Sequence, residues 1–310
     1  MKTANRIISA DFGAGALKSY FTLASAAALV VINSGVIAWR KKYIAMKKAL
    51  NSSSKTNRTP SARALKPFPL AIALCLCGLA AQGQNPRILP PRSAPYGKTY
   101  SQWQTAWWQW TFSLPVTASP GFDTADCSAG QSGPVWFLAG TAITSASVTR
   151  NCTIPAGKAL FFPILTVEND NAGCADSDCP PASYSTDFLL ASVNDYLDEA
   201  TELSCTIDGK AVPGLSDPTT SAFRVESVFN YTVPADPNNF ENWYLVNFCS
   251  APLPGCYAGG GTVTGAVAAG VCVMVAPLST GSHTIRFIGG AGGFVGDATY
   301  NLTVTSGSSD

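Results

Sequence analysis

Four tryptophans, Trp103, Trp107, Trp108 and Trp110, crowd into the segment YSQWQTAWWQWTF. At helical spacing Trp103, Trp107 and Trp110 share one face, with Trp108 turned about 100° from Trp107. An indole has two flat apolar faces and an N–H at its edge. An exposed set could therefore stack on sugar rings or other planar ligands, with Gln102, Gln104 and Gln109 adding hydrogen bonds. That reading makes all four tryptophans candidate ligand contacts. The plainer expectation is that the helix plugs one side or end of a β core, each ring burying about 150 to 250 Å². A partner interface is the third use of such a stripe.

A second chemical cluster is the stretch ENDNAGCADSDC, which places Glu168, Asp170, Asp176 and Asp178 close together, with Asn169 and Asn171 among them. Dense hard oxygen ligands suit calcium, and Glu168, Asp170 and Gly173 echo the start of a calcium loop, although the third ligand and the closing bidentate Glu are missing. Glu168 and Asp170 could also act as acid and base in glycoside cleavage, where the carboxylate separation decides. The bland alternative is a solvated loop stapled by Cys174 and Cys179. No cofactor is required by any of these readings, and calcium is the one metal they admit.

His283 is the sole histidine and opens an alternating run in phase with Ile285 and Phe287. Such a histidine is usually satisfied by neighbours at the rim of a core, and as a catalytic base it would need a carboxylate to orient it. Ser132 lies in GQSGP, which superficially resembles a protease nucleophile loop. The order of residues and the lack of a GxSxG elbow argue against a Ser132/His283 pair and for a turn at Gly130 and Gly133.

These residues sit downstream of a sharp change in character near Gln84. Twelve Lys and Arg face one acid up to Gly83, and eight face eighteen acids after it. Residues 67–81 are a short apolar run behind Lys55, Arg58, Arg63 and Lys66, ending in Ala81-Gln82-Gly83, which is the layout of a secretory signal. Cys75 and Cys77 follow Leu74 and Leu76, where a lipoprotein site would want a small residue. A longer apolar run at 20–39 precedes Arg40, Lys41 and Lys42, and Met46 offers an alternative start. The expected organisation is an upstream extension or apolar segment (1–45), a signal peptide (46–83), a Pro-rich arm (84–98) and a single domain (99–310), secreted or periplasmic and not membrane-embedded. An acidic mature chain also argues against nucleic acid and anionic membrane surfaces as partners.

Eight cysteines follow the boundary: Cys127, Cys152, Cys174, Cys179, Cys205, Cys249, Cys256 and Cys272. An even set in an exported chain implies disulfides. Cys174/Cys179 and Cys249/Cys256 are close in sequence, and Cys127 with Cys152 could tie neighbouring strands. Zinc is disfavoured, since there is one histidine and no CxxC.

Short apolar or alternating runs dominate the domain, at 135–140, 147–154, 159–165, 203–207, 223–228, 230–233, 271–276, 283–289 and 298–304. Gly, Pro, Asn and Asp separate most of them, and Asp208-Gly209 is a hairpin turn. Two segments read as helices: 100–112, and a stretch from Thr186 with Leu189, Leu190, Val193, Tyr196 and Leu197 on one stripe, capped by Ser185 or Thr186. The expectation is a mostly β, antiparallel sandwich, immunoglobulin-like or jelly-roll-like, with one or two short helices.

The stretches YGKTYSQWQTAWWQW, GPVWFLAG, CTIPAGKALFFPI and GVCVMVAPLSTGSHTIRF resemble a group of uncharacterised exported bacterial proteins, over residues 96–304. That resemblance implies export and no particular activity. LSTGSHTIRF with ATYNLTV is similar to the closing hairpin of bacterial immunoglobulin-like domains, which implies a sandwich and nothing on function. The functional expectation is a binding module for saccharide or cell-envelope material. The alternatives are a polysaccharide-acting enzyme using Glu168, Asp170 or His283, and a structural module of the cell surface.

Overall fold

The run TVTGAVAAGVCVMV loses all polar alternation in its second half, the mark of a strand covered on both sides. In the computed structural model, which describes residues 88–122, 127–141, 147–171, 184–236, 238–240 and 260–306, it is the central strand of a layered β fold. These residues belong to one unit, Leu79–Asp310. The leader, its two apolar runs, and Cys174, Cys179, Cys249 and Cys256 lie outside the described residues.

In chain order the elements are α1 (Tyr100–Ser113), β1 (Val135–Phe137), β2 (Ser147–Pro155), β3 (Ala159–Asn169), α2 (Thr186–Asp198), β4 (Ala200–Ile207), β5 (Lys210–Ala211), β6 (Arg224–Thr232), β7 (Thr262–Val275), β8 (Gly281–Ala291) and β9 (Phe294–Thr305), with short 3-10 turns flanking α1. Sheet 1 has the order β1-β3-β7-β6 and sheet 2 the order β2-β9-β8-β4-β5. The protein is mostly β and sandwich-like, as its strand pattern implies.

One expectation is corrected: the sandwich is not purely antiparallel, because β1 runs parallel to β3 and β2 parallel to β9. The first case has a simple cause. β2, the strand between β1 and β3 in sequence, lies in the other sheet, so the chain reverses twice and returns to sheet 1 in its original direction.

Side-chain parity along β7 explains its composition. Val267, Ala269, Val271, Val273 and Val275 join the core between the sheets, where Leu189, Val193 and Leu197 of α2 also pack. Ala266, Ala268, Cys272 and Met274 point the other way, toward α1. Both helices begin at side-chain caps. Thr99 Oγ1 accepts from Gln102 N while Gln102 Oε1 accepts from Thr99 N, and Ser185 Oγ accepts from Phe188 N.

One close approach shapes the region where the sheets meet. β3 has an irregularity between Pro163 and Leu165, and there Gly289 of β8 meets the Ile164 backbone so closely that a Cβ would sit 2.1 Å from the Ile164 carbonyl oxygen. Gly289→Ala should therefore lower stability by about 3 kcal/mol in urea unfolding, the upper end of overpacking costs. Gly140→Ala, whose Cβ would meet Phe287 at an ordinary 3.7 Å, is the control expected to melt like wild type. Beside this corner, buried Arg150 donates to the Ala139 and Gly140 carbonyls (2.6 and 3.0 Å) and to the Tyr300 hydroxyl (2.7 Å), tying the segment after β1 to β2 and β9.

Candidate functional site

The tryptophan helix is a layer of the core. Val135, Ala159, Phe161, Cys272 and Met274 leave one face of sheet 1 apolar, and α1 covers it with Tyr100, Trp103, Trp107 and Trp110. The three tryptophans of the stripe are only 6, 7 and 6 % exposed, and Trp108 is half-buried. Each indole N–H is engaged: Trp103 donates to the Pro95 carbonyl, Trp107 to that of Leu138, Trp110 to that of Ala129, and Trp108 to the Thr166 hydroxyl. The ligand-platform expectation is overturned for Trp103, Trp107 and Trp110, because sheet 1 already occupies the face they share. Gln104, fully buried, serves the same layer: it accepts from Ser227 and donates to Thr166, in a gap kept open by Gly270.

Glu168 and Asp170 lie at the end of β3 and just beyond it. Asp170 accepts a hydrogen bond from the Tyr231 hydroxyl at 2.6 Å. Asp176 and Asp178 fall outside the described residues, and among the described residues no group of three His, Cys, Asp or Glu is placed to hold a metal. Glu168 in β3 and Asp170 just past it lie with sheet 1, and His283 lies in sheet 2, so the catalytic candidates do not form one set.

His283 is buried at the start of β8, where Nδ1 faces Asp208 Oδ2 at 2.9 Å and Nε2 faces the Ser279 carbonyl at 2.9 Å and the Ser279 hydroxyl at 3.3 Å. The trio superficially matches a nucleophile, base and orienting acid. Nε2 lies nearer the Ser279 carbonyl than the Ser279 hydroxyl, so the trio reads as a set of structural contacts and not as a serine held for attack. The histidine ties the Asp208-Gly209 hairpin to the turn before β8. Sequence reading missed Asp208 and Ser279 as its partners, although the hairpin signal at Asp208 was visible. Ser132 lies exposed in the turn before β1, with Gly130 and Gly133 at positive φ.

The cysteine expectation is met for one pair: Cys127 and Cys152 form a disulfide. Cys205 and Cys272 are instead free, buried thiols. Cys205 lies in the core between the sheets and Cys272 in the α1 layer, so each faces a different apolar environment. Burial pushes the Cys205 thiol up to about 12 and that of Cys272 higher still, which keeps both protonated and inert.

The outer face of sheet 2 has a composition unlike the rest. Alternation points Thr149, Asn151 and Thr153 of β2 outward, and the parallel register sets them beside Thr299, Asn301 and Thr303 of β9, like against like. β8 continues two rows with Thr284 beside Asn301 and Ser282 beside Thr303. Asn301 donates to Asn151 Oδ1 at 3.0 Å. An open depression of about 390 Å³ lies here, lined by Asn151, Thr153, Ser282, Thr284, Asn301 and Thr303 among others. Next to it Arg286 forms a two-point ion pair with Asp297, whose carboxyl is held below its usual range by the Arg286 hydrogen bonds.

No protein-family model, curated protein or solved structure matches the chain. Among the described residues no helix is long and apolar enough to cross a membrane.

Proposed function

We propose that this chain is an exported, non-catalytic binding module for saccharide or cell-envelope polymer, and that it binds through the outer face of sheet 2. The leader layout and the Cys127–Cys152 disulfide support export. The open polar depression on that face is the observation that carries the binding reading.

Hydroxyls and carboxamides both donate and accept, which is what a neutral polyhydroxylated ligand requires. Outward side chains repeat at about 6.8 Å along a strand and about 4.8 Å between strands, so the rows offer a regular grid to a repeating polymer. The face is also poor in unpaired charge, since Arg286 is matched by Asp297, which suits a neutral chain better than a polyanion. An enzyme is the weaker reading because Glu168, Asp170 and His283 are spread over two sheets.

Co-sedimentation with insoluble chitin, cellulose and peptidoglycan tests the proposal. Wild type should pellet with at least one polymer, and the double variant Asn151→Ala/Asn301→Ala should bind about tenfold more weakly at unchanged melting temperature, as expected for two lost hydrogen bonds. A protein that stays in the supernatant with all three, or a double variant that binds as well as wild type, refutes the reading.

A further inference from the structure

Beneath Trp107 and Trp108, on the side away from the polar face, the packing leaves a partly enclosed cavity of about 120 Å³. Phe122, Phe240, Phe287 and Phe294 join the two indoles around it, and the irregular stretch of β3 from Pro163 to Thr166 forms another wall. Among the described residues that line it, none is charged. Most of the nearby polar groups are already used. Trp107 donates to the Leu138 carbonyl, Trp108 to the Thr166 hydroxyl, Thr111 to the Trp107 carbonyl and Thr166 to the Ala269 carbonyl.

Ser119 is also buried on the lining, and Thr141 is the clearest exception. It lines the cavity, is only 9 % exposed, and its hydroxyl has no hydrogen-bond partner among the described residues. A Cβ on Gly296 would lie 2.5 Å from Thr141 Oγ1, so β9 presses against the hydroxyl from one side without offering it a bond. Leaving such a group unpaired is unfavourable. Water is a poorer answer, because a buried water needs two to four polar partners and the lining is mostly apolar.

We propose that the cavity binds a small neutral aromatic molecule bearing one oxygen, of the phenol class. The ring lies among the aromatic walls, where it restores dispersion contacts that an empty space forfeits, and the oxygen bonds to Thr141. Size sets the limit: an apolar cavity of about 150 Å³ is known to take benzene, and this smaller but partly open space fits no more than a single ring, which excludes a sugar or an acyl chain of any length. The uncharged lining excludes carboxylates and amines. This site is independent of the outer face of sheet 2.

Fluorine NMR titration of the purified protein with 4-fluorophenol and with fluorobenzene reads the proposal directly. The expected result is a saturable shift for both probes, with 4-fluorophenol bound about fivefold more tightly, the worth of one net hydrogen bond. Thr141→Val, nearly isosteric, should abolish the preference, and Thr141→Ser should keep it. Absence of saturable binding of either probe, equal affinity of wild type for the two, or a preference that survives Thr141→Val would each overturn it. The comparison of the two probes on wild type stands even if a variant fails to fold.

Discussion

Trp107→Ala lowers the stability of the domain by about 4 kcal/mol, within the range for deleting a buried aromatic ring. The ring is 7 % exposed and packs against Trp108 and Trp110 at centroid distances of 5.1 and 6.2 Å. Its removal leaves a void between α1 and sheet 1 and strips the Leu138 carbonyl of its partner. Urea unfolding followed by circular dichroism gives the number. The same experiment on Trp108→Ala should show a smaller loss, because Trp108 is half-buried and its N–H reaches a threonine hydroxyl that Gln104 also serves. If Trp107→Ala melted like wild type, the assignment of the tryptophan stripe to the core would be wrong.

The second large effect comes from the disulfide. Replacing both Cys127 and Cys152 by Ser should cost about 3.5 kcal/mol, the loop-closure value for cysteines 25 residues apart. For a domain of this size that corresponds to a fall in melting temperature of about 7 to 14 °C, read by calorimetry. The bond matters here because β2 is the edge of sheet 2 and pairs with β9 alone. Cys127 gives this strand a covalent second attachment. The double substitution is preferable to a reducing agent, which would act on every disulfide in the chain. A melting temperature within a degree or two of wild type would show that β2 is held by its ladder and the Arg150 hydrogen bonds without help.

The boundaries of most elements were legible from local pattern. The Ser185 cap, the alternation at 298–304 and the Asp208-Gly209 turn all act over a few residues, and each appears where sequence places it. The first half of β7 was missed because TVTGAVAAG reads as loop composition. Its small residues are there so that α1 can lie close on one side. Two segments read as separate strands, 223–228 and 230–233, are one strand, β6, with a register shift between Phe229 and Tyr231.

Pairing direction was not legible, since parallel partners come from distant parts of the chain. The candidate site fared worse, for a physical reason. Tryptophan is the most conspicuous side chain in a sequence, and it attracts a functional reading even when an apolar sheet face needs cover. The threonine and asparagine rows look like ordinary outward positions until the register of β2 and β9 sets identical residues side by side. Cys205 and Cys272 were drawn into the disulfide expectation by an even count, whereas their layers keep them apart.

The register that builds those rows also has a consequence in time. Asn151 and Asn301 are neighbours in space but 150 residues apart in sequence, and contacts of such range are slow to form because the chain must close a long loop before any ladder bond compensates. The hairpin of β8 and β9 is local and can assemble early. β2 must wait for it, and until β2 docks the outermost rows of the polar face do not exist. The recognition proposed for that face is therefore a property of the finished fold and of no smaller part of it.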